Sequence, residues 1–173
     1  MMLKRLHHLA LRCADARATV DFYTRVLGME LAACAGGDRV PSNNEFSPHL
    51  NLFIKMQDGS MLDFVDVPLS PAAQKDANTP AWVVHVAIEV ASLAELNELK
   101  RRVEAEGVKV LGPADHGFCQ SIYFFDPSGH RLKLSWTNDR AQLESLAAHA
   151  WDDLAAWEEQ KKRGWDLKNE TRR

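Results

Sequence analysis

The chain has 173 residues, enough for one domain with a hydrophobic core and too few for two independent domains of ordinary size. A composition of 46% hydrophobic and 26% charged residues is typical of a globular protein, and a formal net charge of −3 argues against a nucleic-acid partner. No apolar run approaches the about 20 residues of a membrane-spanning helix, and no signal-peptide core is visible, so we expect cytoplasmic residence without a membrane partner.

The first part of the chain predicts a strand, a helix and three further strands. The helix is expected between Asp15, a good N-cap, and Gly28, which suits the position just after a helix end. The last two strands are joined by Asp58-Gly59, a strong hairpin signal. The predicted strands are residues 3–13, 29–34, 50–56 and 61–67, and residues 36–44 are predicted as a loop.

The second part repeats this order after a linker at residues 69–81, which is rich in proline and small polar residues. Ser92 and Glu95 form a capping box, and Gly107 ends the helix. The predicted strands of this part are residues 85–90, 108–111, 118–125 and 131–136. The order βαβββ therefore occurs twice, with module one at residues 1–68 and module two at residues 82–136.

The remaining residues, 137–173, are predicted to be helical. Their apolar side chains recur at helical spacing and include two tryptophans, so this stripe needs a cover. We expect it to pack on the rest of the chain, with a dimer contact or a lid over the pocket as alternatives, and we predict a homodimer. The stripe consists of Leu143, Leu146, Ala150, Trp151, Leu154 and Trp157.

The three cysteines, Cys13, Cys34 and Cys119, are odd in number and widely spaced. This pattern argues against a disulfide framework or a zinc knuckle. We expect all three to be buried as small hydrophobic residues.

The internal repeat places chemically informative residues at equivalent points. Residues 8–13 align with residues 85–90, so His8 corresponds to His85. Residues 58–64 align with residues 128–134, so Asp63 corresponds to Lys133. Three of these four positions carry metal-ligand side chains and the fourth does not. His7 is expected on the opposite face of its strand, in a structural role.

This arrangement resembles the vicinal oxygen chelate superfamily, which includes glyoxalase I, fosfomycin and bleomycin resistance proteins, and extradiol dioxygenases. The resemblance implies an α+β fold in which two tandem βαβββ modules form an incomplete barrel around a cleft. It covers residues 1–136 as a single domain and leaves residues 137–173 as a C-terminal helical extension. The phrases that carry it are Leu6-His-His-Leu-Ala-Leu11, Asp21-Phe-Tyr-Thr-Arg-Val-Leu-Gly28, Val84-His-Val-Ala87 and Ser121-Ile-Tyr-Phe-Phe-Asp-Pro-Ser-Gly-His130.

A narrower resemblance is to the extradiol dioxygenase signature. His116, Tyr123 and the turn at residues 126–129 fit that signature at permitted spacings, whereas Lys133 replaces its final glutamate and Ala114 also departs from it. Beside a substrate, His116 would shuttle a proton and Tyr123 would partner an oxyanion. The alternatives are an ordinary loop histidine and a tyrosine that packs in the core.

The resemblance also implies a metal held by His8, His85 and the residue at position 133. Lys133 cannot serve there as a cation, because an ammonium group has no lone pair. The repeat offers Asp63 instead, so we predict that His8, Asp63 and His85 hold a divalent metal, with Fe(II) as first choice and Mn, Zn or Ni as alternatives. The competing hypothesis is an Asp63–Lys133 ion pair that leaves the protein without metal.

We therefore predict a metal-dependent small-molecule enzyme that resembles the extradiol dioxygenases, with His116 and Tyr123 as catalytic residues. One alternative is a glyoxalase-like isomerase or lyase, and the other is a metal-free protein that binds a drug or metabolite. The identity of the substrate cannot be read from the sequence. The predicted pocket residues are Lys133, Phe53, Phe125 and Trp136, and in the metal-free alternative Phe64 and Tyr123 also line the pocket.

Overall fold

The computed structural model describes residues 5–71 and 78–163. Parts of the predicted first strand, linker and tail therefore lie outside the described residues. Module one consists of β1 (His8–Arg12), α1 (Ala16–Asp21) with a following π-helical turn (Phe22–Val26), β2 (Glu30–Arg39), β3 (Phe46–Lys55) and β4 (Met61–Asp66). Module two consists of β5 (Val86–Glu89), α2 (Leu93–Ala105), β6 (Leu111–Asp115), β7 (Cys119–Phe125) and β8 (Arg131–Thr137), and it is followed by α3 (Arg140–Arg163).

Local capping signals place both module helices where the sequence predicts them. The Asp15 side chain accepts a hydrogen bond from the Ala18 backbone N–H at 2.7 Å, and the Ser92 hydroxyl accepts one from the Glu95 N–H at 3.1 Å. Gly28 and Gly107 have φ angles of +73° and +76°, which a residue with a side chain rarely adopts. The predicted helix boundaries are confirmed.

The two modules have the same sheet topology. Strand order is β1-β4-β3-β2 in the first sheet and β5-β8-β7-β6 in the second, with the outer pairs β1–β4 and β5–β8 parallel. Asp63 lies opposite Ala10 in the first sheet, and Lys133 lies opposite Ala87 in the second. No strand of one sheet pairs with the other among the described residues, so the sheets form no closed barrel. The predicted α+β fold of two βαβββ modules is confirmed.

Two edge strands differ from the prediction. β2 continues through the glycines of the predicted loop, because it pairs with β3 as far as Arg39 opposite Phe46. A Cβ on Gly36 would lie 2.9 Å from the His49 carbonyl oxygen, so glycine permits this close pairing. β6 begins at Leu111 rather than ending there, and Pro113 is accommodated because β6 is an edge strand.

One hydrophobic core is shared by both modules. Alternate residues of the central strands point to the helices, so Leu62 and Phe64 of β4 and Leu132 of β8 are at most 1% exposed. Burial of each such side chain contributes about 1.5–3 kcal/mol. Phe64 packs against Tyr23 with ring centroids 4.6 Å apart. Phe64 is therefore a core residue, and its predicted place in the substrate pocket is wrong.

The turn between β7 and β8 fastens module two to module one. The Tyr23 hydroxyl donates a hydrogen bond to Asp126 Oδ2 at 3.1 Å, and the Ala14 backbone N–H donates one to the Ser128 hydroxyl at 3.1 Å. The His130 ring contributes a third bond, from Nε2 to the Arg12 carbonyl at 2.6 Å. Burial, together with the negative charge of Asp126, raises the pKa of Tyr23 well above its usual value.

The C-terminal helix α3 does not pack on the rest of the chain as the sequence predicts. It has no buried residue, and Trp151 and Trp157 are 83% and 54% exposed. Its start is held by an ion pair of 3.3 Å between Arg140 and Glu89. Within residues 5–71 and 78–163, no helix is long and apolar enough to cross a membrane.

The cysteines form no disulfide bond with one another. Cys13 and Cys119 are buried, as expected, but Cys34 is exposed because it lies on the edge strand β2. Burial is also the main reason why the pKa of Cys13 is raised.

Candidate functional site

The first half of the candidate site lies on the face of the first sheet that points away from the helices. Asp63 on β4 and Phe53 on β3 are paired across the strands and share this face. Asp63 is only 4% exposed, and both of its carboxylate oxygens accept hydrogen bonds from Asn51 Nδ2, at 3.0 and 2.8 Å. No described lysine, arginine or histidine forms an ion pair with it. The Asp63 carboxylate is thus held in place by an amide, without a neutralising cation.

Asn51 was missed by the sequence analysis. It is a polar residue in a strand whose neighbours Leu52 and Ile54 are buried, and it stands two residues before Phe53 on the same face. A polar residue among the apolar residues of this strand was the signal that could have identified Asn51.

His8 begins β1 on the same face, next to strand β4. Its Nδ1 lies 2.7 Å from Nδ1 of His7, so one of the two nitrogens carries the shared proton. Both rings are exposed. When His8 is the donor, its Nε2 retains a free lone pair, which is the form that binds a metal. His7 was predicted to be a structural residue of the opposite face, but β1 starts only at His8, so the strand alternation does not extend to His7.

The second half of the site lies on the corresponding face of the second sheet. Tyr123 on β7 pairs with Lys133 on β8, and the Lys133 ammonium is 5.7 Å from the centre of the Tyr123 ring. The Tyr123 hydroxyl is 2.8 Å from Nε2 of His116, a hydrogen bond that joins the two predicted catalytic residues. The turn carrying His116 is itself fixed by a bond of 2.9 Å from its backbone N–H to the Cys119 carbonyl.

His85 precedes β5 and completes this second half. Its ring stands edge-on to Tyr123 with centroids 6.2 Å apart. Nδ1 of His85 lies 3.2 Å from the Trp82 carbonyl oxygen. Because a carbonyl only accepts, His85 Nδ1 carries the hydrogen and Nε2 of the neutral ring keeps its lone pair.

The predicted pocket residues do not all share one face of a sheet. Phe125 shares the face of Tyr123 and is 45% exposed, and Phe53 faces His8 with ring centroids 6.4 Å apart. Trp136 packs instead against the core, on the face of β8 opposite to Lys133. Successive strand residues alternate between faces, so a pocket around Lys133 does not include Trp136.

A wide cleft of about 1320 Å³ runs along the helical side of the molecule, between the β3–β4 turn, β5, β8 and α2. Trp136 lines it, but His8, Asp63, His85, His116, Tyr123 and Lys133 do not. This cleft and the candidate chemistry are therefore in different places.

The two halves of the predicted metal site are not brought together within one chain. Among the described residues, no three His, Cys, Asp or Glu side chains are grouped closely enough to hold a metal ion. His8 and Asp63 belong to the first sheet, whereas His85 belongs to the second. The alternative ion pair between Asp63 and Lys133 is also not formed within the described part of the chain. One chain thus presents two separate half-sites.

Comparison with known proteins identifies the family. Residues 5–134 match the sequence profile of the Glyoxalase/Bleomycin resistance protein/Dioxygenase superfamily. The chain is 28% identical over 130 residues to lactoylglutathione lyase of Escherichia coli O157:H7, which is 75% of this chain and 90% of that protein.

Solved structures add the fold. FosX from Listeria monocytogenes, complexed with Mn(II) and sulfate ion, is 21% identical, with a TM-score of 0.57 over 82% of this chain and 99% of that chain. The antibiotic binding protein TnmS3 from Streptomyces sp. CB03234 is 19% identical, with a TM-score of 0.56 over 80% of this chain and 99% of that chain. The matched profile spans both modules and both half-sites, and the chain belongs to the Glyoxalase/Bleomycin resistance protein/Dioxygenase superfamily.

Proposed function

We propose that this protein is a metal-dependent enzyme that acts on a small molecule, with the metal held by His8, Asp63 and His85. The observation that carries the proposal is the hydrogen bonding of the two imidazoles. Nδ1 of His85 donates to the Trp82 carbonyl, which leaves its Nε2 for a ligand, and Nε2 of His8 is equally available in the tautomer whose Nδ1 donates to His7. Asp63 supplies a buried carboxylate that forms no ion pair with a described residue.

The donor set suits such a metal. Two neutral imidazoles and one carboxylate form the facial arrangement that leaves positions open for substrate on Fe(II) and related divalent ions. When bound, the metal would supply a Lewis acid and a template for a substrate with two adjacent oxygens. Because His85 belongs to the other sheet, we propose that a second copy of the chain contributes it, so that each site joins module one of one copy to module two of its partner.

The His116–Tyr123 pair supports a role in proton transfer. The Tyr123 hydroxyl holds a proton on the face that also carries His85, and His116 Nε2 lies 2.8 Å away to accept or return that proton. Imidazole suits this task near neutral pH. General acid–base groups of this kind contribute typically about 10²–10⁴-fold to a rate. Ring cleavage, as in the extradiol dioxygenases that the chain resembles, is our first choice of reaction.

A lyase or isomerase is the second candidate, and the 28% identity to lactoylglutathione lyase favours it. The presence of Lys133 at the position of Asp63 in the repeat favours a third role, metal-free binding of a small molecule, and TnmS3 is by its name an antibiotic binding protein. Both alternatives use the same two sheet faces.

The experiment uses full-length protein that has been loaded with Fe(II) under anaerobic conditions, and it consists of two assays. Oxygen uptake with catechols in aerated buffer tests ring cleavage. Formation or breakdown of lactoylglutathione tests the lyase. We expect Tyr123→Phe and His116→Ala to lower the active rate by about 10²-fold or more. His149→Ala, an exposed change in α3, is the matched control. Turnover that both variants retain in full would contradict the assignment of His116 and Tyr123.

A further inference from the structure

Three cationic side chains surround Tyr123 on the second sheet. The Arg131 guanidinium carbon is 4.6 Å from the centre of the Tyr123 ring, and the Lys133 ammonium is 5.7 Å from it. Lys109 and Arg131, together with Tyr123 and Phe125, line a small cavity of about 220 Å³. We call Lys109, Arg131, Lys133 and this cavity the basic pocket.

Among the described residues, these charges have no carboxylate partners. Within residues 5–71 and 78–163, no aspartate or glutamate forms an ion pair with any of the three cations. Glu89, the acid that shares the face of Lys133, is engaged by Arg140 at 3.3 Å. Within the described part of the chain, the Arg131 side chain donates one hydrogen bond, of 3.5 Å, to the Ala81 carbonyl. Like charges on alternate residues of one strand repel each other, so the pocket favours an anion.

We propose that the basic pocket binds the anionic group of the substrate, a carboxylate or a phosphate. This inference rests on the proposed function, because the pocket adjoins the His116–Tyr123 pair. Arg131 offers a planar fork that binds either oxyanion through two parallel hydrogen bonds, while Lys109 adds a point charge. The cavity is smaller than the about 300–1,000 Å³ of sites for drug-sized ligands, so it receives the charged end of a small organic anion.

The inference also gives Lys133 a role. At this position the resemblance to dioxygenases implies a carboxylate that would bind metal, and the lysine removes that ligand. A substrate anion beside Lys133 would neutralise the ammonium group and lower its repulsion toward a nearby dication. The lysine thus makes position 133 a substrate-binding residue, while His85 of the same sheet keeps its proposed place as a metal ligand.

Titration calorimetry of the full-length chain tests the inference. The probes are benzoate, phenyl phosphate and the neutral benzamide, in protein treated with a chelator so that no metal contributes. We expect at least one anion to bind at least about tenfold more tightly than benzamide, with an affinity that falls as salt is added. The tighter of the two anions identifies carboxylate or phosphate as the preferred group. Equal binding of benzamide and both anions would overturn the proposal.

Variants locate the binding. Arg131→Gln should weaken anion binding about tenfold or more, and Lys109→Gln several-fold, whereas Lys161→Gln in α3 should leave it unchanged. Lys109 is exposed and has no hydrogen bond or ion pair with a described residue, so its variant should fold even where Arg131→Gln does not. Anion affinity equal to that of the parent in both pocket variants would refute the assignment. If the parent protein binds the anion but binds no metal when Fe(II) is added back, the anion pocket would be supported and the proposed metal site would have failed.

Discussion

The two sheet faces of this protein have one backbone plan and opposite charges. Asp63 and Lys133 occupy equivalent positions, each opposite an alanine of the neighbouring parallel strand. The first face carries a buried carboxylate whose side-chain hydrogen bonds, among the described residues, come from the Asn51 amide. The second carries Lys133 and Arg131 beside Tyr123, without an acidic partner among the described residues.

This difference shows what a duplicated scaffold determines and what it leaves to the side chains. The β1–β4 and β5–β8 pairings place one histidine and one central residue at matching points of each sheet. Whether that pair attracts a metal depends on the charge of the central residue, since a carboxylate is a ligand and an ammonium group is not. The first face is thus suited to a cation and the second to an anion.

The opposite charges of the two sheet faces also fit the division of the proposed metal site into two halves within one chain. His8 with Asp63 and His85 with Tyr123 lie on different sheets, and no three metal-ligand side chains meet within the described residues. A second copy that opposes unlike faces would bring the carboxylate of one chain toward the cations of the other.

The largest expected effect is loss of metal. Replacing His8 or His85 by Ala removes one of three proposed ligands, so stoichiometric Fe, Mn, Zn or Ni should disappear, as measured by elemental analysis. Both rings are exposed, so the fold should persist in circular dichroism. His149→Ala provides the control. Metal content unchanged in both variants would sink the assignment.

Making the two faces alike is the next test. Lys133→Glu restores a carboxylate and removes an opposing charge, so we expect metal affinity to rise about tenfold or more, which corresponds to about 1.4 kcal/mol. Arg131→Glu removes a charge on the same strand without placing a carboxylate at the repeat position, and it is the matched control. A folded Lys133→Glu protein whose metal affinity stays at the parental value would show that position 133 does not face the metal.

An effect on stability rather than on metal binding is expected at the contact between the two modules. Tyr23→Phe removes a buried hydrogen bond to the charged Asp126, which should cost about 1.5–3 kcal/mol in the free energy of unfolding. The Tyr23 pKa is raised in the folded state, so folding favours the neutral phenol. Its stabilisation is therefore complete below the unfolded pKa of 10.0 and declines as the pH rises above it.

Urea denaturation of both proteins from pH 7 to pH 11 measures this effect. The difference between Tyr23→Phe and the parent should shrink above about pH 10. A difference in the free energy of unfolding that stays constant over this range would show that ionisation of Tyr23 does not weaken the contact between the modules.

The sequence predicted those features that local chemistry determines. Asp15 and Ser92 cap their helices through their own side chains, and both hairpin turns form at Asp58-Gly59 and residues 126–129. The side of the sheet on which Trp136 lies could also have been predicted. Trp136 stands three residues from Lys133, and strand alternation puts the two on opposite sides.

Other features depend on partners distant in sequence and could not be predicted. Gly36 lies in a strand only because β3 pairs with it, and Asn51 reaches Asp63 only once β3 and β4 are in register. The environment of α3 likewise depends on tertiary contacts rather than on its own periodicity. Whether the half-sites meet across chains depends on a second molecule.

Assembly is the last prediction, with a change of about twofold in mass. We expect the full-length chain to be a homodimer, because its half-sites need a partner and the α3 stripe leaves Trp151 83% exposed. Light scattering should give a dimer for the full chain and for Lys161→Gln, a polar change in the same helix. Trp151→Glu should weaken the dimer if α3 lies in the interface, since this side chain has little packing to lose in the monomer. A shortened chain that ends at Asn138 and still dimerises would place the interface on the two sheets, and a monomeric full-length chain would refute the dimer.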